Sequence, residues 1–105
     1  MDFSKLGGLV PAVIQDRHSH EVLMVGFMNQ EALERTRETG YVTFFSRTRN
    51  ALWTKGETSG NRLQVGEILI DCDDDTLLVK VTRLGDGNVC HTGQRSCFYR
   101  RLKEK

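Results

Sequence analysis

Residues 62–84 read "RLQVGEILIDCDDDTLLVKVTRL". The segments "RLQVGEILID" and "TLLVKVTRL" are rich in aliphatic and β-branched residues, which is typical of strands. Between the two apolar runs stands "DCDDD", residues 71–75, which brings four carboxylates and one thiol together. The simplest interpretation of such an acidic run is a solvated turn between two strands. The stretch therefore predicts a pair of neighbouring strands and raises the question of what its acidic connection does.

Further strand signals lie on both sides of this pair. The segments "LVPAVI" (9–14) and "EVLMVGFM" (21–28) read as two strands joined by a polar connection. Pro11 lacks an N–H group and places the first of them near a sheet edge or a bulge. Residues 41–56, "YVTFFSRTRNALWTKG", predict a hairpin around "RTRN", and "FYRRL" (98–102) could add a last strand.

One helix is expected in the chain. Asn29 is a suitable N-cap, acidic residues follow it at the positive end of the helix, and Gly40 stops it. The side chains expected to face inward are Ala32, Leu33 and Thr36. With strands on both sides of this single helix, the pattern predicts a β-rich α+β fold in one small domain over residues 1–105.

Composition excludes several classes of protein. With a formal net charge of +1, the chain has no strong positive field that would attract nucleic acid or an acidic membrane. No segment approaches about 18 consecutive apolar residues, and the first residues do not resemble a secretory leader, so we expect a soluble, cytoplasmic protein. Three cysteines, an odd number, favour reduced thiols or metal ligands over a disulfide framework.

The acidic run does not match the calcium loop of an EF-hand. Thr76 stands where that pattern requires glycine, and Thr82 stands where it requires the closing glutamate. Asp71, Asp73 and Asp75 occupy alternate positions, and on an extended chain they would project to one side. Three such carboxylates could converge on a hard cation such as Mg²⁺.

The cysteines indicate a second, softer metal environment. Cys72 would project away from the three aspartates, and Cys90 and Cys97 lie in "VCHTGQRSCFYR". Each thiol alone is well explained as a small buried hydrophobe. Together they favour Zn²⁺ with an open fourth position, where a bound water has its pKa lowered to about 7. A closed structural site would need a fourth ligand, for which His18 or His20 could serve.

A third cluster, "SRTRNALWTKGETSGN", covers residues 46–61. It is explained either as a hairpin with a charged outer face or as a phosphate and base site. Trp53 could stack on a base or fill the core, and no Walker loop is present in the sequence. The candidate substrate-binding residues are Arg47, Arg49 and Lys55 for phosphate oxygens, Ser59 and Gly60 for close backbone approach, Trp53, and Glu57.

These segments, taken in order, resemble the phosphoribosyl-AMP cyclohydrolase family, which opens the adenine ring of phosphoribosyl-AMP in histidine biosynthesis. The resemblance covers nearly the whole chain. It rests on "LVPAVIQD", "VLMVGFMNQEAL", "GYVTFFSRTRNALWTKGETSGN", "DCDDD" and "CHTGQRSCFYR". Many members of the family are fused to a pyrophosphohydrolase, and because this sequence stops after "FYRRLKEK" we expect a monofunctional enzyme.

The resemblance implies a site with two metals in a homodimer. Mg²⁺ would be held by Asp71, Asp73 and Asp75. Zn²⁺ would be held by Cys72 of one subunit with Cys90 and Cys97 of the other. It also implies a folded mixed sheet or pseudobarrel, an intertwined homodimer, and a small nucleotide as the substrate, with no nucleic-acid or membrane partner.

The implied chemistry assigns a role to one histidine. A hydroxide made on zinc would add at C6 of the adenine ring, and the N1–C6 bond would open after proton delivery to N1. His91 is adjacent to Cys90, and histidine titrates near neutral pH, so it is the candidate general acid or base; orienting its loop is the alternative role. Glu57 is a weaker candidate.

Two other classes of protein remain as alternatives. A small zinc module without catalytic activity would bind nucleic acid or protein, but the near-neutral charge argues against it. A zinc deaminase would carry H-x-E and P-C-x-x-C signatures, which this sequence lacks.

Overall fold

The computed structural model describes residues 1–103 and contains six strands and one helix within them. The elements are β1 (Val10–Asp16), β2 (Val22–Met28), α1 (Gln30–Thr39), β3 (Thr43–Ser46), β4 (Ala51–Thr54), β5 (Leu63–Ile70) and β6 (Leu77–Arg83). Among these residues no helix has the length and apolar character needed to cross a lipid bilayer.

The strands form one mixed sheet and one hairpin. The mixed sheet has the order β2-β1-β6-β5, in which β1 and β6 are parallel and the two outer pairs are antiparallel. β3 and β4 form a separate two-stranded sheet around the loop "RTRN". The expected α+β class, mixed sheet, hairpin and strand pair around the acidic run are therefore confirmed.

One face of the mixed sheet builds the core. Side chains alternate along β1 and β6, so every second residue is buried; Ile14, Val79 and Val81 have no exposed surface. Phe44 of the hairpin packs into the same cluster. An added Cβ at Gly26 of β2 would overlap the ring of Phe44, so the close approach of the hairpin to the sheet requires glycine there.

The helix has the ends that its sequence predicts. Asn29 accepts a hydrogen bond from the N–H of Ala32 at 2.8 Å, and Gly40 ends the helix in the left-handed conformation with φ 78°. Ala32 and Thr36 are buried, as expected, while Leu33 is partly buried. The Thr36 hydroxyl accepts the N–H of Thr43 at 2.9 Å, which attaches the helix to β3.

Main-chain hydrogen bonds fasten the hairpin to the edge of the mixed sheet. The N–H of Val42 donates to the carbonyl of Leu63 at 3.0 Å, and the N–H of Lys55 donates to the carbonyl of Val42 at 3.0 Å. The N–H of Val65 donates to the carbonyl of Gly40 at 2.8 Å. Lys55, the first residue after β4, is therefore held at a fixed place beside β5.

One expectation about strands holds in part and another is wrong. β1 is an inner strand rather than an edge strand, but it carries an irregularity after Ile14, in line with the alternative of a bulge. Pro11 is tolerated because pairing with β6 begins one residue later, at Ala12. Residues 98–102 form no strand, and Phe98 is 62% exposed. Ser96 and Cys97 are the last residues bonded to β2, so no ladder continues into "FYRRL" in the described part of the chain.

The segment after β6 is irregular but anchored. The N–H of Cys97 donates to the carbonyl of Leu23 at 2.8 Å, and the hydroxyl of Ser96 donates to the carbonyl of Val22 at 2.7 Å. The guanidinium of Arg95 donates to the Glu21 carboxylate at 2.6 Å. These contacts fix the loop that carries two of the three cysteines against β2.

Candidate active site

The acidic run is a turn, and the turn brings its carboxylates together. Oxygens of Asp71, Asp73 and Asp75 lie within 4.8 Å of one another. The expectation of an extended chain is wrong: Asp71 Oδ1 accepts the N–H groups of Asp75 and Thr76 at 3.0 and 3.1 Å, which folds the segment back. Asp74 adopts φ 62°, a left-handed conformation that aspartate tolerates. The three side chains converge because of this turn.

The electrostatics of the turn reflect this convergence. Hydrogen bonds with Asp71 and Asp75 raise the pKa of the Asp73 carboxyl, since carboxylates this close disfavour full ionisation. Lys5 supplies a compensating charge, with its Nζ 3.1 Å from Asp75 Oδ2 and 3.6 Å from Asp73 Oδ2. Its hydrogen bond lowers the pKa of Asp75. We refer to Asp71, Asp73 and Asp75 as the acidic cluster.

Two of the cysteines, Cys90 and Cys97, are neighbours. Cys97 is exposed as a residue, but partial loss of solvent around its thiol raises the pKa of Cys97, and the nearby Cys90 thiol raises it further. The Thr92 hydroxyl lies 3.0 Å from Cys90 Sγ, and the hydroxyl and N–H of Thr92 lower the pKa of Cys90. The positive charge of Lys55 lowers both thiol pKa values. The pair therefore lies in an environment that favours thiolate at Cys90, the form that binds metal.

The third cysteine does not join this pair within one chain. Cys72 is exposed at the end of β5, and among residues 1–103 the acidic cluster is the only group of three or more candidate metal ligands. His18 and His20 lie exposed in the turn after β1 and complete no three-ligand set with Cys90 and Cys97 in the described chain.

A cleft of about 350 Å³ lies beside the thiol pair. It is lined by Lys55, Ser59, Asn61, Asp86, Asn88, Val89, Cys90, His91 and Gly93. Of the residues expected at the site, the cleft brings together Cys90, His91, Lys55 and Ser59. A cleft of this size with cationic, hydroxyl and amide groups suits a polar ligand.

The expected residues of the hairpin, Arg47, Arg49 and Trp53, do not line the cleft. Trp53 is partly buried, its ring 5.2 Å from that of Phe44 between centroids, and the Lys55 ammonium lies 5.8 Å from the Trp53 ring. The guanidinium of Arg47 lies 4.1 Å from the ring centroid of Phe27, and Arg49 is exposed in the hairpin loop. Neither arginine lines the cleft.

The remaining expected residues lie in the turn after β4. Glu57 is exposed, and its N–H donates to the carbonyl of Thr54 at 3.1 Å. Gly60 has φ 83° and donates its N–H to the carbonyl of Gly56 at 2.8 Å, so the turn closes on itself. Neither residue lines the cleft, although both neighbours of Gly60 do.

Comparison with known proteins assigns the chain to a family. The family profile described as phosphoribosyl-AMP cyclohydrolase matches residues 24–99, which include the acidic cluster, the thiol pair and the cleft. The chain belongs to the phosphoribosyl-AMP cyclohydrolase family. It is therefore an enzyme, a hydrolase.

Relatives of the cyclohydrolase family match nearly the whole chain. A phosphoribosyl-AMP cyclohydrolase from Solibacter usitatus is 62% identical over 102 residues, which cover 97% of this chain and 80% of that protein. One from Listeria innocua is 56% identical over 104 residues, covering 99% of this chain and 95% of the relative. A histidine biosynthesis bifunctional protein from Vibrio vulnificus is 59% identical over 98 residues, covering 93% of this chain and 46% of that protein.

Three residues of the site were not identified from the sequence. Lys5 lies 68 positions before Asp73, and nothing in its neighbourhood indicates a carboxylate partner. Thr92 follows His91 in the quoted "CHTG". A hydroxyl residue two positions after a cysteine could have indicated a hydrogen bond to the thiol. Asn61 ends the quoted "GETSGN", where an amide beside glycines indicates backbone hydrogen bonding.

Proposed function

We propose that this enzyme opens the adenine ring of 1-(5-phosphoribosyl)-AMP by hydrolysis of the N1–C6 bond. The oxygen of water joins C6, the N1–C6 bond breaks and N1 gains a proton, which gives the phosphoribosyl-formimino-aminoimidazole carboxamide ribotide of histidine biosynthesis. The observation that carries the proposal is the cleft itself, where Cys90, His91 and Lys55 meet within the region that matches the family.

The thiol donors suit Zn²⁺. Thiolate is a soft ligand that selects zinc over magnesium, and the Cys90 and Cys97 thiols are close enough to shift each other's pKa. Cys72 would complete the set. Zinc held there would lower the pKa of water to about 7 and so supply a nucleophile at neutral pH.

The acidic cluster suits Mg²⁺. Carboxylate oxygens are hard ligands, and the three side chains lie close enough to share one ion. Because the cluster precedes β6 and the cleft loop follows it, the proposed role of the three side chains is to hold Mg²⁺ beside the substrate in the partner copy's cleft and so offset phosphate charge. The Lys5 ammonium, which contacts two of them, supports the view that this turn needs a cation.

The remaining side chains bind the substrate and move protons. His91 is exposed at the cleft, where its imidazole would transfer a proton to N1 as the ring opens. Lys55 and Ser59 would bind substrate oxygens inside the cleft. The proposed outer contacts are Arg47, Arg49, Trp53, Glu57 and Gly60.

A homodimer would complete the zinc site. Cys72 belongs to no three-ligand cluster with Cys90 and Cys97 in residues 1–103, so we propose that the partner copy supplies it. An apolar surface supports this proposal. Val25, Val13, Leu78 and Leu69 form a row across the outer face of the mixed sheet, with Val25 44% and Leu69 40% exposed. We call these four residues the apolar row.

The proposed location is the cytoplasm. The site requires all three cysteines as thiolates, and the structure contains them as free thiols. Reducing compartments keep thiols in this form, whereas oxidising ones favour disulfides.

An assay of both products and metals tests the proposed reaction. Purified enzyme given phosphoribosyl-AMP should form the ring-opened ribotide and release no ammonia, because the exocyclic nitrogen stays on the product. An untreated preparation should contain roughly one zinc ion per chain. Stoichiometric ammonia would indicate deamination at C6 and would overturn the ring-opening proposal.

A further inference from the structure

Two backbone segments that line the cleft meet at a single side chain. The turn after β4, residues 55–60, carries Lys55 and Ser59. The loop after β6, residues 84–89, leads directly to Cys90. Asn61 lies between these two segments and is partly buried.

Both polar atoms of the Asn61 side chain are used to join the segments. Its Oδ1 accepts the N–H of Asp86 at 2.9 Å, and its Nδ2 donates to the carbonyl of Asn88 at 3.3 Å. Its backbone N–H donates to the hydroxyl of Ser59 at 3.2 Å. An amide offers a donor and an acceptor on one rigid group, which neither aspartate nor alanine provides.

Two glycines bring the backbone close enough for these bonds. Gly85 has φ +67°, and an added Cβ would overlap Asn61 Oδ1. Gly56 has φ +79°, and an added Cβ there would overlap the main chain at Asn61. Both positions therefore exclude a side chain for steric reasons as well as conformational ones.

We propose that Asn61 is a positioning residue for ring opening, which holds the turn bearing Lys55 and Ser59 against the loop leading to Cys90. The inference rests on the proposed use of this cleft by the substrate. It assigns Asn61 no contact with substrate: its side chain acts through the two segments that it joins. Displacement of binding groups by about 1 Å is enough to lower the rate roughly 100-fold.

Substitutions of Asn61 give the first test. Asn61→Ala removes both side-chain bonds and should lower kcat/KM at least about tenfold, with a rise in KM because Lys55 and Ser59 lose their fixed position. Asn61→Asp keeps the acceptor for Asp86 but sets a carboxylate oxygen against the Asn88 carbonyl, so it should also lower kcat/KM. Kinetics are measured well below the unfolding temperature, with circular dichroism to verify folding. Wild-type kcat and KM in folded Asn61→Ala would overturn the proposal.

A pair of glycine substitutions decides the question if Asn61→Ala does not fold. Gly85→Ala and Gly40→Ala both place a side chain at positive φ, but nothing lies within 4 Å of a Cβ at Gly40. Only Gly85→Ala displaces the Asn61 amide, so it should lose at least about tenfold more kcat/KM than Gly40→Ala. Equal losses in the two variants would overturn the proposal.

Lys55→Ala, assayed in parallel, distinguishes a failure of the positioning role of Asn61 from a failure of the proposed substrate site. Unchanged kcat/KM in Lys55→Ala would show that the cleft is not where the substrate binds. An impaired Lys55→Ala together with wild-type kinetics in Asn61→Ala would refute the positioning role alone.

Discussion

At the scale of single residues, the acidic turn shows how one side chain organises its neighbours. Asp71 accepts two main-chain N–H groups, and this folds the segment so that the carboxylates of Asp73 and Asp75 approach its own. Asp74 takes the left-handed conformation that the turn requires and has no place in the cluster. The carboxylates at alternate positions in the sequence therefore converge because the chain turns, and Asp74 contributes only the backbone conformation that the turn requires.

Replacement of Asp73 tests the magnesium assignment. Asp73→Asn should weaken Mg²⁺ binding roughly tenfold, since the charge count of the ligands sets affinity, and should leave the zinc content unchanged. Asp74→Asn is the matched control, because asparagine also tolerates positive φ and the residue lies outside the cluster. Titration calorimetry and elemental analysis measure the two metals. Loss of zinc in Asp73→Asn would contradict two separate metal sites.

Replacement of Lys5 tests whether its ammonium competes with the metal. Lys5→Met should strengthen Mg²⁺ binding about fivefold, because a unit charge at about 4 Å in water is worth about 1 kcal/mol. Lys80→Met is the control, since Lys80 pairs with Glu67 at 3.8 Å, away from the acidic cluster. The measurement is calorimetry on metal-stripped protein. An unchanged or weaker affinity in Lys5→Met would show that Lys5 does not compete.

At the scale of the elements, Asp16 at the end of β1 contacts Arg83 at the end of β6, and through it the loop near the cleft. Burial raises the pKa of this carboxyl, but the N–H groups of Ser19 and His18 and the guanidinium of Arg83 outweigh burial and hold the pKa well below its usual value. Arg83 Nε lies 2.9 Å from Asp16 Oδ2, and its Nη1 donates to the carbonyl of Gly87 at 2.7 Å. The ends of β1 and β6 are thereby joined to the loop that Asn61 also holds.

The stability that Asp16 contributes should depend on pH. A lowered pKa means that the contribution is complete above the ordinary value of 3.8 and is lost as pH falls toward the folded value. Asp16→Asn should therefore cost about 2 kcal/mol at pH 7 and less at pH 3, as measured by urea unfolding. Glu67→Gln, which breaks an exposed ion pair, should cost under about 1 kcal/mol. A cost that is equal at both pH values would contradict this account.

Local signals in the sequence predicted most elements. Capping residues set the helix, and apolar runs set the strands, because both depend on neighbours in sequence. Whether residues 98–102 form a strand depends on whether β2 has a free edge with which they can pair. The role of Lys5 depends on its contact with Asp75, which lies 70 positions further along the chain. Such long-range contacts leave no periodic signal. Of the candidate site, residue types were therefore predictable, but their spatial grouping was not.

At the scale of the whole molecule, one chain leaves two features incomplete. Cys72 forms no three-ligand set with Cys90 and Cys97 in the described residues, and the apolar row is exposed at Val25 and Leu69 and partly exposed at Val13 and Leu78. The proposed homodimer would complete the thiol set and cover the apolar row. Apolar area removed from water would stabilise the dimer by about 25 cal/mol per Å².

A charge within the apolar row tests whether this face joins two copies. Leu78→Asp should shift the enzyme from dimer to monomer and reduce bound zinc, because the buried interface would then hold an unpaired carboxylate. Thr82→Asp is the control, since it lies on the same strand and the same face, four positions from Leu78. Analytical ultracentrifugation gives the mass. A Leu78→Asp enzyme that remains a dimer would exclude this face as the interface.

Complementation between two inactive variants tests the central claim most directly. Cys72→Ala and Cys97→Ala chains should each be inactive alone, since every site in either homodimer lacks one thiol. Co-expressed, they form mixed dimers in which one site combines Cys72 of one chain with Cys90 and Cys97 of the other. We predict that purified mixed dimers regain phosphoribosyl-AMP ring opening at up to about half the wild-type rate per dimer, together with bound zinc. Mixed dimers that form but stay inactive would contradict a zinc site shared between subunits.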